Sequence, residues 1–201
     1  MTKIKFCGLR REDDVRYAAM LDADYAGFIM SQKYARYVSP EQVLDWKALL
    51  PLSTQTVGVF VDEPLDYVAR AAEDARLDLI QLHGNEDNDY IDAIRSKTYL
   101  PVIKMIRPES EEDVKTARES VADYILLDSG VGGTGKTFNW FYAGRLTRDY
   151  FLAGGLTPDN IGEAVRKLHP FAVDVSSGVE DDGVKDSSKM IRFAREVRSN
   201  E

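Results

Sequence analysis

Short runs of β-branched and aliphatic residues recur along the chain, and each is followed by a stretch with apolar residues at helical spacing. Eight runs stand out, at residues 4–7, 25–30, 56–60, 77–82, 102–106, 124–127, 150–153 and 172–175. They begin about twenty to thirty residues apart, as a strand, its crossover helix and two loops require. Runs this short and this continuously apolar suit strands buried on both faces, which are the strands of a parallel sheet covered by helices. The pattern predicts repeated βα units.

The intervening helices carry their own signals. Ser39-Pro40-Glu41-Gln42 places an N-cap serine, a proline at the first helical position and a glutamine at the capping-box position. Thr157-Pro158 repeats the cap and proline, and Ile161, Ala164, Val165 and Leu168 then share one helix face. Leu65, Val68, Ala69 and Ala72 form a similar stripe, as do Met190, Phe193, Ala194 and Val197 in the last helix; both stripes read as core. A doubly wound open sheet satisfies the same periodicity. Eight units favour closure, because a closed ring of eight strands leaves no edge exposed. The expected architecture is a single (β/α)₈ barrel, the TIM-barrel fold, over residues 1–201, with no linker or composition shift to divide it. At 201 residues its loops have to be short.

Composition narrows the function classes. Hydrophobic residues at 44% and charged residues at 30% are ordinary globular usage, with material for a full core. Asp and Glu outnumber Lys and Arg by 34 to 26, a formal charge of −8, so nucleic acid is not an expected partner. No signal-peptide pattern or membrane-length apolar run is present, and a cytoplasmic location without membrane association is expected. With Cys7 the only cysteine, an intramolecular disulfide and a thiolate metal cluster are both excluded. Monomer and homodimer are both open.

Polar residues and glycines gather just after the strand runs, at the carboxyl-terminal mouth where such barrels carry their chemistry. Cys7-Gly8 ends the first run, the second leads toward Arg36, Gln81-Leu82-His83-Gly84 ends the fourth and Asp128-Ser129 the sixth. Gly132 and Gly133 follow the sixth run, Gly154-Gly155 the seventh and Ser176-Ser177-Gly178 the eighth. Any one of these glycines is more simply a tight turn. Three clusters at adjacent strand ends point to an anion held on backbone N–H groups, and hence to a phosphorylated small molecule.

Residues 130–137, Gly-Val-Gly-Gly-Thr-Gly-Lys-Thr, also fit the nucleotide-binding P-loop pattern, and Phe171-Ala172-Val173-Asp174 resembles its partner strand. A P-loop normally opens its own nucleotide-binding sheet, whereas this one would follow five complete βα units. Its glycines are better assigned to the phosphate corner.

A lone cysteine is more often a small buried hydrophobe than a catalyst. Cys7 gains interest from Asp128, at a strand end nearly opposite in an eight-strand ring, because a base and an acid on facing walls suit proton transfer at two ends of one substrate. Alone, Asp128 is as readily a cap or turn residue. Arg36 is either a solvated surface charge or a bidentate clamp for a carboxylate. His83 either donates to a substrate or holds its loop. No second histidine or carboxylate stands at zinc-ligand spacing, so no metal is expected, and His169 is read as structural.

Taken together these stretches resemble the phosphoribosylanthranilate isomerase family. The resemblance is carried by Lys5-Phe6-Cys7-Gly8-Leu9, Arg36-Tyr37-Val38-Ser39-Pro40, Val57-Gly58-Val59-Phe60, Gln81-Leu82-His83-Gly84, Leu126-Leu127-Asp128, Gly132-Gly133-Thr134-Gly135-Lys136-Thr137-Phe138, Ala153-Gly154-Gly155-Leu156 and Asp174-Val175-Ser176-Ser177-Gly178-Val179-Glu180, in that order. It implies a cofactor-independent Amadori rearrangement of N-(5-phosphoribosyl)anthranilate in tryptophan biosynthesis. Cys7 would be the general base and Asp128 the general acid. Arg36 would hold the anthranilate carboxylate, with His83 and Asp174 against the substrate. Gly132, Gly133, Thr134, Gly154, Gly155, Ser177 and Gly178 would bind the phosphate. The chain departs from the family before Arg36, where Lys33-Tyr34-Ala35 stands in place of the usual Lys-Ser-Pro. Cys7 itself argues against the related isomerase of histidine biosynthesis, which performs the same rearrangement with an aspartate there. A phosphoryl-ligand-binding barrel without turnover is the non-enzymatic rival. A thiol that titrates near ~8.5 needs only modest stabilisation to serve as base near neutrality.

Overall fold

The structure, a computed structural model, describes residues 1–128 and 140–200. Eight parallel strands close into a barrel in sequence order: β1 (Lys3–Cys7), β2 (Tyr25–Ile29), β3 (Gln55–Phe60), β4 (Leu79–Leu82), β5 (Val102–Ile106), β6 (Tyr124–Leu127), β7 (Tyr150–Leu152) and β8 (Ala172–Val175), which pairs back onto β1. Each strand falls on an expected run, with ends moved by at most two residues. The outer helices are α1 (Glu12–Met20), α2 (Pro40–Lys47), α3 (Leu65–Asp74), α4 (Asn88–Thr98), α5 (Glu111–Glu119), α6 (Trp140–Ala143), α7 (Ile161–Leu168) and α8 (Ser187–Ser199). Among the described residues no helix is long and apolar enough to cross a membrane.

Alternation along each strand builds two cores. Tyr25, Val57, Leu79, Ile103, Leu126, Phe151 and Ala172 point inward and fill the barrel, with the Tyr25 and Phe151 rings 5.1 Å apart. Residues one step out of phase, such as Phe6, Phe28, Phe60, Leu82 and Val173, pack against the helices with the predicted stripes: Val68, Ala69 and Ala72 of α3, and Met190, Phe193, Ala194 and Val197 of α8. Tyr25, Tyr124, Phe151 and Phe171 pack ring against ring toward the amino-terminal end.

Register at the closed end is pinned by a repeated device. The aspartates just before β2, β4 and β6 each accept the amide N–H of a residue near the start of the preceding strand: Asp24 from Ile4 at 2.8 Å, Asp78 from Thr56 at 2.7 Å and Asp123 from Val102 at 2.8 Å. A carboxylate oxygen thus supplies an acceptor where the strand ladder has not begun.

The capping box of α2 is present: Ser39 accepts the Gln42 amide N–H, and the Gln42 side chain accepts the Ser39 N–H. The Thr157-Pro158 cap needs correction. Thr157 accepts from the Asp159 N–H through its hydroxyl and from Ile161 through its carbonyl, as a cap would. Regular helix nevertheless starts only at Ile161, because Asn160 turns its side chain back onto the Thr157 N–H and the Gly155 carbonyl, making the segment a separate turn. A small hairpin, β9 (Glu180–Asp181) with β10 (Val184–Lys185), follows β8 and has no counterpart among the sequence expectations.

Candidate active site

The inward phase that fills the barrel lower down carries polar side chains at the mouth. On β1, Lys5 and Cys7 share one face two residues apart, and the register sets Lys5 opposite Asp174 of β8 and Cys7 opposite Gly27 of β2. Gly27 leaves space there. A Cβ at that position would lie 3.0 Å from Cys7 Sγ and 3.1 Å from Lys5 Nζ, so the missing side chain makes room for the thiol and the ammonium together.

Two cavities meet over this layer. One, of about 270 Å³, is bounded by Cys7, Ile29, Tyr34, Val59, Val61 and Gln81. The other, of about 240 Å³, is bounded by Arg107, Gly154, Gly155, Ser177 and Gly178. Arg36, His83, Asp128, Asp174 and Ser176 line both and form the wall between them. One half is therefore apolar with a thiol, the other glycine-rich and polar. A larger groove of about 590 Å³ lies on the outer surface between α3 and α4. It gathers none of the candidate groups, so chemistry is assigned to the mouth.

Of the sequence-predicted residues, Cys7, Arg36, His83, Asp128, Asp174, Gly154, Gly155, Ser177 and Gly178 all come together here. Gly132, Gly133 and Thr134, with the whole P-loop-like segment 130–137, lie outside the described residues. Gly154 and Gly155 take φ of 84° and 63°, the left-handed region, which lets the chain after β7 turn tightly beside the mouth. Gly178 sits so close to the Leu156 carbonyl that a Cβ would come within 1.8 Å of its oxygen, locking the loops after β7 and β8 together.

His83 stands 3.6 Å from Asp128, Nε2 to Oδ2, and its Nδ1 is 3.0 Å from Gln81 Nε2. Burial pushes the His83 pKa down against the pull of Asp128, so the imidazole is neutral near neutral pH. With Gln81 donating to Nδ1, the ring proton sits on Nε2 and faces Asp128. The loop holding His83 is braced from outside the barrel. Lys104 donates to the Gly84 carbonyl at 2.7 Å and to Glu86 Oε2 at 2.8 Å, while Glu86 accepts the amides of Asp62 and Gly84. Both charges are nearly buried and each has hydrogen-bond partners, the condition under which a buried pair is tolerated.

Arg36 donates from Nη1 to Ser176 Oγ at 2.7 Å and to Glu180 Oε1 at 3.2 Å. Glu180 also accepts from Lys185 Nζ at 2.7 Å. Burial works to raise the Glu180 pKa, but Lys185 and Arg36 outweigh it and hold the carboxyl below its ordinary value. The hairpin after β8 thus orients the guanidinium over the mouth.

Sequence reasoning passed over Lys5, Lys185, Glu180, Gln81 and Arg107. Lys5 has a signal that strand periodicity carries: it lies in phase with Cys7, on the inward face, and is completely buried. Cys7 differs from its simple expectation. Burial pushes the thiol pKa up, and the nearby Lys5 and Lys185 ammonium groups offset this only in part. The stabilising positive charge expected near the thiol is present, and burial opposes it.

Residues 4–196 match the family model described as N-(5'phosphoribosyl)anthranilate (PRA) isomerase. The N-(5'-phosphoribosyl)anthranilate isomerase of Thermoanaerobacter sp. (strain X514) is 44% identical over 204 aligned residues, covering 98% of each chain. The crystal structure of phosphoribosyl anthranilate isomerase from Thermus thermophilus superposes with a TM-score of 0.90 at 33% identity over 100% of both chains. Another crystal structure of such an isomerase, in complex with reduced 1-(o-carboxyphenylamino)-1-deoxyribulose 5-phosphate, superposes with a TM-score of 0.85 at 34% identity, over 99% of this chain and 100% of that one. A family match over nearly the whole barrel, joined to 44% identity with a relative covered end to end, has one reading: the chain belongs to the N-(5'-phosphoribosyl)anthranilate isomerase family.

Proposed function

We propose that this protein catalyses the Amadori rearrangement of N-(5-phosphoribosyl)anthranilate to 1-(o-carboxyphenylamino)-1-deoxyribulose 5-phosphate, without a cofactor, as a step of tryptophan biosynthesis. The observation that carries the reading is the divided mouth. Cys7 and Asp128 border one apolar cavity of aromatic-ring size, and that cavity opens through Asp174 and His83 onto a glycine-lined corner suited to a phosphate.

In this reading Asp128, carrying a proton, gives it to the furanose ring oxygen, the C1–O bond breaks, and the nitrogen lone pair forms the protonated Schiff base. The Cys7 thiolate then takes the proton from C2, and the C2–H electron pair moves toward nitrogen to give the enolamine. Tautomerisation yields the ketone. The imine nitrogen is the electron sink, which is why no cofactor is needed. Neutral His83, its Nε2–H toward Asp128, stabilises the carboxylate left after proton transfer. Arg36 holds the anthranilate carboxylate, and Asp174 accepts from a sugar hydroxyl. Gly154, Gly155, Ser177 and Gly178 hold the phosphate, joined by Gly132, Gly133 and Thr134 of the segment outside the described residues.

The test follows the loss of anthranilate-type fluorescence when purified protein is added to the substrate. Wild-type protein should consume it. A general acid or base contributes about 10²–10⁴-fold, so Cys7→Ala and Asp128→Asn should each lose activity on that scale with little change in substrate affinity. Near-normal turnover by Cys7→Ala would remove Cys7 as the base, and an inert wild-type protein would sink the activity itself.

A further inference from the structure

We propose that Lys5 is the positioning residue for Cys7: its ammonium, shared between Asp174 and the thiol, supplies the positive charge that makes the Cys7 thiolate accessible. This deepens the proposed function and rests on its assignment of Cys7 as the base.

The geometry makes the case. Lys5 is 0% exposed, in the barrel interior directly beneath the mouth, where an amine is costly unless it has a task and partners. Its Nζ donates to Asp174 Oδ1 at 2.9 Å. The point where a Gly27 Cβ would stand lies 3.1 Å from Nζ and 3.0 Å from Cys7 Sγ, so ammonium and sulfur flank the same small space. Parallel register fixes all three: Asp174 is paired with Lys5, and Gly27 with Cys7. Such an amine could simply fill the barrel as the hydrophobic layer below does, yet an apolar side chain would do that without the cost of burying a charge.

The electrostatics agree. Burial works against the charged Lys5, but Asp174 and then the Cys7 thiolate outweigh it, and the Lys5 pKa is raised, so the amine stays an ammonium. Around Cys7 the charged neighbours are Lys5 on its own strand, Asp174 of β8 and Lys185 of β10, with His83 and Asp128 facing it across the cavity. Arg36 and Glu180 complete the rim. When Asp128 carries its proton as general acid, Lys5, Lys185 and Arg36 stand against Asp174 and Glu180, leaving one positive charge in excess for the thiolate to neutralise. Lys5 and Asp174 then act on the thiol with opposite signs: the ammonium favours the thiolate and the carboxylate opposes it.

Cys7 is the only cysteine, so alkylation reads a single group. The experiment measures the rate of iodoacetamide modification from pH 6 to pH 11 in the wild type, Lys5→Gln and Asp174→Asn, with far-UV circular dichroism to verify the fold. An opposite charge within about 4–6 Å shifts a pKa by about 1–3 units, so Lys5→Gln should move the thiolate pKa up by about one unit or more, and Asp174→Asn should move it down. The acid limb of kcat/KM should rise in pH with the Lys5→Gln alkylation curve. Opposite movement of the two variants supports the inference. Shifts below about 0.3 unit in folded Lys5→Gln, or movement of both variants in one direction as general loosening would cause, overturn it. If Lys5→Gln does not fold, Lys5→Met takes its place, an upward shift of the thiolate pKa supporting the inference and a shift below about 0.3 unit overturning it. Alkylation that shifts as expected while the kcat/KM limb stays fixed would keep Lys5 as the partner of Cys7 and remove Cys7 as the base, so the two assignments fail separately.

Discussion

Adding a single methyl group at Gly178 tests whether the glycine-lined corner is the phosphate site. An alanine Cβ there would fall 1.8 Å from the Leu156 carbonyl oxygen, 2.9 Å from the Leu156 carbonyl carbon and 3.4 Å from Thr157 Cα. All three are backbone atoms, so no rotamer change relieves the clash. Tolerable carbon–oxygen contacts begin near ~3.3 Å, so the loops after β7 and β8 must part by about 1.5 Å. Overpacking of this kind costs about 1–3 kcal/mol, and about 2–4 °C of melting temperature per kcal/mol applies at this chain length. The loops lie at the rim, away from the barrel interior, so the fold should survive with a loss of about 2–12 °C. Function should suffer more. A displacement of about 1 Å in a binding group can cost about 10²-fold, so kcat/KM should fall on that scale, mostly through KM, and competitive inhibition by inorganic phosphate should weaken in parallel. Gly183→Ala, in the turn between β9 and β10, is the control: its Cβ would meet only Arg10 Nη2 at 3.9 Å, and φ of 75° leaves backbone strain of about 1–2 kcal/mol. Steady-state kinetics with scanning fluorimetry on both variants decides the matter. Unchanged KM and unchanged phosphate inhibition in a Gly178→Ala protein with a lowered melting temperature would refute the phosphate corner.

Other outcomes rest on the same contacts. Arg36→Met removes a charged donor, so KM for the anthranilate-bearing substrate should rise about 10- to 100-fold while inorganic phosphate inhibition changes little; equal losses would mean general collapse of the rim. Asp78→Ala strips the buried Thr56 of its acceptor for both N–H and hydroxyl and leaves Lys47 with only the Arg76 carbonyl in place of its carboxylate, so urea unfolding should show a loss of about 2–4 kcal/mol, with kcat unaffected because the change lies at the closed end. Burial pushes the phenols of Tyr67, Tyr90 and Tyr150 up to about 12. Their raised folded-state values mean that this stability is full below the unfolded value of ~10 and lost as pH rises through about 12. The urea midpoint should therefore decline from pH 9.5 to 11.5, and a flat profile would contradict it. Calorimetric titration with Mg-ATP should give no binding despite the P-loop-like segment, and micromolar, Mg-dependent binding would reopen the nucleotide reading.

The barrel was legible because its strands are buried on both faces, which makes each a compact apolar run, and because eight such units close without an edge. What escaped were features set by partners distant in sequence. The β9–β10 hairpin has strands of two residues, too short for any period, and its importance comes from Glu180 reaching Arg36, 144 positions earlier. The true start of α7 was hidden because Asn160 prefers bonds to Gly155 and Thr157 over continuing the helix, a competition that a cap pattern cannot rank.

At the site, the residues that stand out in the sequence are those at and just beyond the strand ends, which is why the cysteine is conspicuous and its lysine is not. Strand ends mark where chemistry can meet a ligand, but the charges that tune those groups lie one step below, inside the strands. Period two supplies the missing criterion. Asp174 of β8 and Ser176 just beyond it share a phase as Lys5 and Cys7 do on β1, and both pairs turn inward. Lys104, by contrast, is out of phase with inward Ile103, and it reaches the loop after β4 from outside the barrel. A charged residue inside an apolar strand run thus divides by phase into two kinds, an inward one that sets the electrostatics of the mouth and an outward one that braces a loop. Applied to Lys-Ile-Lys-Phe-Cys, the rule turns both Lys3 and Lys5 inward, and nearness to the strand end selects Lys5 as the companion of the thiol, while Lys3 meets Tyr25 and Phe171 at the closed end; the alkylation experiment measures whether that companionship is electrostatic.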